Sequence, residues 1–315
     1  LDRCLTCLSC TTTCPSGVDY MHLLDHGRQH IEQTYQRPLT DRWLRGLLKW
    51  LLPKPQMFRL ALIGAKIARP FAALFPGRLS AMLKMSGASV SPPSPVDRPQ
   101  IHEAISARQM RVAMLSGCAQ QVVGGDINEA TIRLLRRHGV EVVIAEGMEC
   151  CGALTQHMGD ETAAQKSARA NISAWLTAKD NGGLDAIVIN ASGCGTTVKD
   201  YGHLLQHDPA WAEKAAEVSA LTVDISELMI KVGLQNIALP QEASTLGVAY
   251  HAACSLQHGQ KVVSPPKDLL RQAGFAIQDV GEAHLCCGSA GTYNLLQPDI
   301  ADKLGQRKAQ NLKAT

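Results

Sequence analysis

The sequence predicts a multidomain α+β chain: a helical N-terminal module followed by two related, Rossmann-like α/β halves. Three observations lead there. Four cysteines, Cys4, Cys7, Cys10 and Cys14, crowd the start of the chain ahead of helix-compatible sequence. From Met110 onward, short apolar runs alternate with longer helical stretches, the βαβ pattern of a parallel sheet. The later cysteines also repeat at an offset of 136 residues, Cys118 matching Cys254 and Cys150-Cys151-Gly152 matching Cys286-Cys287-Gly288. Leu134/Leu270 and Glu146/Glu282 fall on the same offset, which identifies a duplicated unit.

Composition narrows the class. A chain of 315 residues with 45% hydrophobic and 19% charged residues can bury two medium cores, which excludes a disordered chain and a disulfide miniprotein. Its 11 cysteines outnumber its 4 Phe, 5 Tyr or 4 Trp. An odd thiol count, tight spacings and no recognisable signal peptide point to metal ligation in a reducing, cytoplasmic compartment. The net charge of +3 conceals a segment from 42 to 96 with nine Lys/Arg and no acid. A stripe of that kind selects partners where net charge does not.

In chain order, residues 1–88 form the N-terminal module, with a polar helix from Asp19 to Gln36 and further helices broken by Pro53, Pro55, Pro70 and Pro76. Residues 89–100, rich in proline, form a semi-rigid linker. The first α/β half spans 101–238, with strands at 112–115, 140–144 and 186–189 and helices at 126–138 and 160–178. The second spans 239–315, where 246–250, 267–273 and 275–280 begin the same strand–helix–strand unit. Its counterpart of Cys194 falls at position 330, so this half is expected to be cut short.

The spacing Cys4-x2-Cys7-x2-Cys10-x3-Cys14-Pro15 is that of bacterial ferredoxins, in which closely spaced thiolates hold a [4Fe-4S] cluster. Soft sulfur ligands suit iron, and Pro15 restrains the backbone after the last thiol. In two-cluster ferredoxins the fourth cysteine serves the other cluster. The expectation is therefore that a preceding motif is missing before Leu1 and that the full-length protein holds two clusters.

Each α/β half has a lone cysteine after its first strand, 31 intervening residues, then Cys-Cys-Gly. These thiols can converge at the carboxyl edge of a parallel sheet, where such folds place ligands. Gly152 and Gly288 let the backbone turn closely there. Cys194 adds a fourth thiol to the first half, whereas the second offers Cys254, Cys286 and Cys287. Such a set holds an iron-sulfur cluster or a zinc ion, and spacing alone does not choose between them.

On these motifs, CLTCLSCTTTCPSGVDY, SGCAQ, MECCGAL, NASGCGTTVKDYG, YHAACSLQHG and HLCCGSAGTYNLLQP, the chain resembles a family of iron-sulfur subunits. That family includes the iron-sulfur subunits of bacterial glycolate oxidase and of lactate utilisation, together with cysteine-rich subunits of heterodisulfide reductase and of anaerobic glycerol-3-phosphate dehydrogenase. The resemblance implies cysteine-rich (CCG) modules and electron transfer from FAD-containing glycolate oxidase subunits, where the 2-hydroxy acid is oxidised, to a respiratory quinone or other acceptor. This chain then carries electrons within an oxidoreductase complex and holds no catalytic residue for the substrate. The alternatives are the lactate or glycerol-3-phosphate system, a CCG-type thiol/disulfide reductase, and a zinc-stabilised assembly subunit. Thr197 stands where a CxxC pair would place a second thiol after Cys194, which favours a conduit over disulfide chemistry.

Residues 41–55 put Trp43, Leu44, Leu47, Leu48, Leu51 and Leu52 on one helical stripe, with Arg42, Arg45 and Lys49 elsewhere. That stripe is too short to span a bilayer and reads as core, as a subunit interface, or as peripheral contact with the cytoplasmic face of the inner membrane. His251, His258 and His284 lie near CCG cysteines and are expected to be ordinary polar histidines. No G-x-G-x-x-G, G-x-S-x-G or H-E-x-x-H is present, so neither a nicotinamide cofactor nor hydrolase machinery is expected, and the charge lacks a nucleic-acid reader motif.

Overall fold

In the computed structural model the first long helix opens at Asp19, whose carboxylate accepts the amides of Met21 and His22 at 3.0 and 3.4 Å, satisfying donors that a helix start leaves free. The structure describes residues 1–75, 77–86, 89–235, 247–289 and 291–315. The expected break at Pro76 and the expected boundary between 238 and 239 lie outside the described residues.

The N-terminal elements are α1 (Ser9–Thr13), α2 (Tyr20–Thr34), α3 (Leu39–Leu51), α4 (Pro55–Ala68), a 3-10 segment (Arg69–Leu74) and α5 (Gly77–Met85). Pro38 precedes α3 and Pro55 begins α4, positions where a missing amide costs nothing. Arg37 and Arg45 pair with Asp2 at 2.6 and 3.6 Å, tying these helices to the chain start, and Lys49 pairs with Glu32 at 2.7 Å, tying α3 to α2.

The first α/β half follows as β1 (Gln100–His102), β2 (Met110–Met114), α6 (Gln120–Val123), α7 (Gly125–Arg137), β3 (Val140–Ile144), α8 (Ala153–His157) and α9 (Glu161–Asp180). It continues with β4 (Ala186–Ile189), α10 (Ser192–Lys199), α11 (Tyr201–Leu204), α12 (Ala212–Leu221), β5 (Thr222–Asp224) and α13 (Ile225–Val232). The sheet order is β1-β3-β2-β4-β5, parallel except for β1. Alternation along the strands makes two cores. Ala113, Val143, Ile187 and Ile189 face one side with Ile172 and Trp175 of α9, while Val112, Val142, Ala186 and Val188 face the other with Ile132 and Leu135 of α7. A sheet covered on both faces explains the continuous apolar runs.

The remaining described elements are β6 (Gly247–Ala249), a single wide turn (Ser255–Gly259), α14 (Pro265–Gln272), β7 (Ala276–Gln278), α15 (Tyr293–Leu296) and α16 (Pro298–Ala314). β6 and β7 pair in parallel, as β2 and β3 do.

Two segments gain definition from the structure. Residues 89–100 pack along the first α/β half: the Ser91 amide donates to Val122 O at 2.8 Å, Ser94 Oγ donates to Glu129 at 2.6 Å, and Gln100 enters β1. The apolar stripe of 41–55 also divides. Leu44, Leu48 and Leu52 pack with Met158 and Leu296, so the leucines join a core shared with both α/β halves. Trp43 stays exposed, and Arg45, expected off the stripe, is buried against Asp41.

Candidate metal centre

β2, β3 and β4 end at the same edge of the sheet, and the chain crosses from one side of β2 to the other between β3 and β4. Such a reversal of strand order leaves a crevice at the carboxyl ends. Cys118 follows β2, Cys150 and Cys151 follow β3, and Cys194 sits in the first turn of α10 after β4. The structure brings these four together. Cys118 Sγ lies 3.2 Å from Cys150 Sγ, and Cys150 and Cys194 are both near enough to act on the Cys151 thiol.

Cys118, Cys150 and Cys151 are buried within the apolar cluster of α9 and α12, and Cys194 packs against it. The hydrogen bonds from Cys118 and Cys151 hold the Cys150 thiol well below the ordinary range. The same pairing, reinforced by burial, pushes Cys118 and Cys151 well above it. A thiolate shared by two thiol donors is ready to exchange protons for a metal, because ligation requires deprotonated sulfur.

Polar side chains fix the backbone behind these thiols. Asn171 Oδ1 accepts the Glu149 amide at 2.8 Å, and its Nδ2 donates to Cys150 O and Tyr201 Oη, each at 3.1 Å. Tyr201 Oη donates to Cys151 O at 2.8 Å. Gly152 has φ +90°, and a Cβ there would stand 3.1 Å from Ala164 O, so only glycine lets the loop lie on α9. On the opposite side, Asn190 and Gln120 both bond Asn128, joining the ends of β2 and β4 to α7.

The second half repeats this plan on a smaller scale. Cys254 and Cys286 are near enough to act on each other's thiols, as are Cys286 and Cys287, and His251 acts on Cys287. Cys254 is lowered by the Cys286 hydrogen bond, whereas Cys286 and Cys287 are each pushed up to about 11, first by their thiol neighbours. The Gly288 amide donates to Cys286 Sγ at 3.4 Å. Gly288 has φ +79°, with Ala301 O of α16 2.5 Å from an added Cβ. Buried Lys308, on the same helix, donates to Glu282 O and Ala283 O at 3.1 and 3.2 Å. Lys308 does for the second loop what Asn171 does for the first.

The N-terminal cysteines sit on a loop bent by left-handed residues at Thr6 (φ 52°) and Leu8 (φ 58°). The Thr6 amide donates to Cys4 Sγ at 3.4 Å. Arg28, buried on α2, donates to Cys4 O at 3.3 Å and to Thr6 Oγ1 at 2.6 Å. Cys14 is held below the ordinary thiol range, chiefly by the Val18 and Ser16 amides, with the Tyr20 hydroxyl and Gly17 amide adding to them.

All three thiol sets border one junction. The wide turn after Cys254 rests on α10, with Ser255 Oγ donating to Ser192 Oγ at 2.8 Å. Thr12 of α1 reaches His258 Nδ1 at 2.7 Å. Cys7 is near enough for its charge to act on Cys254, and Tyr293 lies between Cys286 and Cys4 while bonding Arg3 O at 3.3 Å. His251 thus acts on the Cys287 thiol, His258 contacts Thr12, and His284 acts electrostatically on Glu282.

Sequence reading missed Asn171, Tyr201, Lys308, Arg28 and Tyr293. A signal existed for one pair: Asn171 and Lys308 stand 137 residues apart, as do Ala164 and Ala301, one step off the cysteine offset.

Soft, mutually bonded thiols served by backbone amides fit an iron-sulfur group in their donor chemistry. Among the described residues no three His, Cys, Asp or Glu side chains already surround a point where a single ion would sit, and the thiols contact one another directly.

The pattern of the family described as "Cysteine-rich domain" matches residues 112–199 and 248–315, the two segments that carry the paired-cysteine motifs. The "Glycolate oxidase iron-sulfur subunit" of Escherichia coli is 40% identical over 314 residues, covering 100% of this chain and 73% of that protein. The "Probable glycolate oxidase iron-sulfur subunit" of Bacillus subtilis is 31% identical over 328 residues, with the same coverage of 100% and 73%. "Lactate utilization protein A" of Bacillus licheniformis is 27% identical over 209 residues, covering 65% of this chain and 84% of that protein.

Proposed function

Because this chain belongs to the family of glycolate oxidase iron-sulfur subunits, we propose that it is the electron-carrying subunit of a hydroxy-acid oxidase complex. It takes electrons from a partner flavin subunit that oxidises glycolate and passes them to a respiratory acceptor. The observation that carries this reading is the convergence of Cys118, Cys150, Cys151 and Cys194 at the sheet edge, in a chain matched along its whole length by glycolate subunits. Lactate relatives match a smaller share at lower identity, which ranks glycolate above lactate.

In this reading, residues 1–88 are a ferredoxin-like module, residues 101–238 the first CCG module and 239–315 the second. Cys4, Cys7, Cys10 and Cys14 hold [4Fe-4S] chemistry; Cys118, Cys150, Cys151 and Cys194, and separately Cys254, Cys286 and Cys287, hold further metal. The bound clusters supply reversible one-electron storage. The chain itself supplies thiolate ligands, excludes water around Cys118, Cys150 and Cys151, and directs amides at sulfur from Thr6, Gly152 and Gly288. Such contacts, with the buried Arg28 cation beside Cys4, set reduction potential. No helix among the described residues is long and apolar enough to cross a membrane, so contact with the inner membrane is peripheral in this reading.

The test mixes the anaerobically purified chain with an FAD-containing glycolate oxidase subunit and adds glycolate, lactate or glycerol 3-phosphate in turn. Glycolate is expected to generate the EPR signal of reduced clusters in this chain, only when the flavin subunit is present. Reduction by lactate or glycerol 3-phosphate instead would reassign the complex, and no reduction by any of the three would reject the carrier role.

A further inference from the structure

We propose that the outer face of α4 and the 3-10 segment after it form a docking surface for an anionic lipid bilayer. No residue of α4 is buried, although its sequence, PQMFRLALIGAKIA, is largely apolar. Met57, Leu60, Ile63 and Ile67 fall within one third of the helix circumference, and Phe71 and Leu74 continue the exposed line. Leu60 is 64% exposed, Ile67 73% and Leu74 80%. A contiguous apolar strip of this kind marks a surface that is covered in use.

Charge identifies the cover. Between 42 and 96 there is no carboxylate, and Arg45, Lys49 and Arg78 are paired with acids from outside that segment. Among the described residues, Arg42, Lys54, Lys66, Arg69 and Lys84 have no carboxylate partner. Lys54 lies 5.0 Å from the Trp50 ring centre, and Trp50 and Trp43 are both exposed. An exposed apolar helix face in a segment that carries cations and no acid, with Trp50 beside Lys54 at its start, is the composition of a helix lying in the plane of an anionic bilayer. A second copy fits poorly, since a two-fold contact would set this cationic strip against itself. The helices beneath the strip are anchored to the chemistry: α3 shares its core with Met158 and Leu296, and Arg45 reaches Asp2 beside the cysteine loop. Docking there places the carrier beside lipid-soluble acceptors, so the inference deepens the electron-transfer reading while its test needs no electron transfer.

The anaerobically purified chain is sedimented with vesicles of phosphatidylcholine alone and of phosphatidylcholine with phosphatidylglycerol. Binding is expected on the anionic vesicles only, and is expected to weaken in high salt. Leu60→Gln/Ile67→Gln and Lys66→Glu/Arg69→Glu should each lower the partition coefficient by more than about tenfold, with circular dichroism and iron content unchanged. Ile105→Gln, an exposed apolar residue elsewhere, should bind as wild type. Equal binding to both vesicle types, or patch variants that bind normally, would overturn the proposal. So would patch variants that bind vesicles normally but dissolve a dimer or lose the purified flavin subunit. Vesicle binding by a chain that carries no iron would support the docking surface while contradicting the electron-transfer reading.

Discussion

Asn171 closes three hydrogen bonds in an apolar interior, to Glu149 N, Cys150 O and Tyr201 Oη. Replacing it with Leu strands those groups, and buried groups left without partners cost about 1–3 kcal/mol each. Urea unfolding of Asn171→Leu should show a loss of at least about 2 kcal/mol, and wild-type stability would remove the network from the account. Gly152→Ala and Gly288→Ala force left-handed backbone and close contact with a neighbouring helix. Each should cost about 1–3 kcal/mol in the same measurement, with Gly288 the more sensitive because its contact is closer. The glycines were legible in the sequence because they stand beside paired cysteines. Asn171 was not, because a buried amide and an exposed one look the same in a helix.

Two titratable residues near the junction oppose each other. Burial pushes Asp25 up to about 7, and Gln156 donates to it at 2.8 Å. Burial drives His157 down to about 4, and its buried Nδ1 has no hydrogen-bond partner among the described residues. Between about pH 4 and 7 the fold keeps a proton on Asp25 that the unfolded chain has released, so this residue's contribution to stability falls as pH rises. His157 contributes with the opposite sign: from about pH 4 to 6.5 the unfolded chain holds a proton the fold excludes, and stability grows with pH. Asp25→Asn removes only the first effect. Its stability relative to wild type, measured by urea unfolding, should increase from pH 4 to 7 and level off above; parallel profiles would contradict this assignment.

Among the elements, α3 shows what periodicity reveals and what it leaves open. The apolar spacing of 41–55 specifies a helix with one greasy stripe, and the helix forms at Leu39–Leu51. Which part of the stripe is covered depends on Met158 and Leu296, residues more than a hundred positions away. Leu48→Ala should therefore cost about 2–5 kcal/mol in denaturant unfolding, whereas Trp43→Ala should stay within about 0.5 kcal/mol. The reverse order would mean that the stripe faces outward. Strands β3 and β4 matched their expected bounds because β-branched runs between polar turns leave few other solutions. The proline-rich stretch was harder to place: its composition describes stiffness, but its hydrogen bonds to Val122 and Glu129 depend on tertiary neighbours.

At the scale of the whole molecule, duplication was visible as a fixed cysteine offset, and the fold gives it a physical form. Gly152 lies on Ala164 of α9 as Gly288 lies on Ala301 of α16, so each thiol loop uses the same helix contact. What the offset did not show is the meeting of the N-terminal loop with both halves, through Thr12 and His258 and through Tyr293 and Arg3. Those contacts join segments more than two hundred residues apart and leave no local pattern. In the function proposed above, this shared junction is a set of thiolate iron-sulfur centres. The most direct measurement is iron, zinc and acid-labile sulfide analysis with EPR after dithionite, on anaerobically prepared wild type, Cys150→Ser and Cys7→Ser. Iron and sulfide are expected in wild type, with a reducible signal of which each variant loses a different part. Zinc or no metal in wild type, or variants whose iron and spectra match it, would show that these thiols hold no iron-sulfur centres.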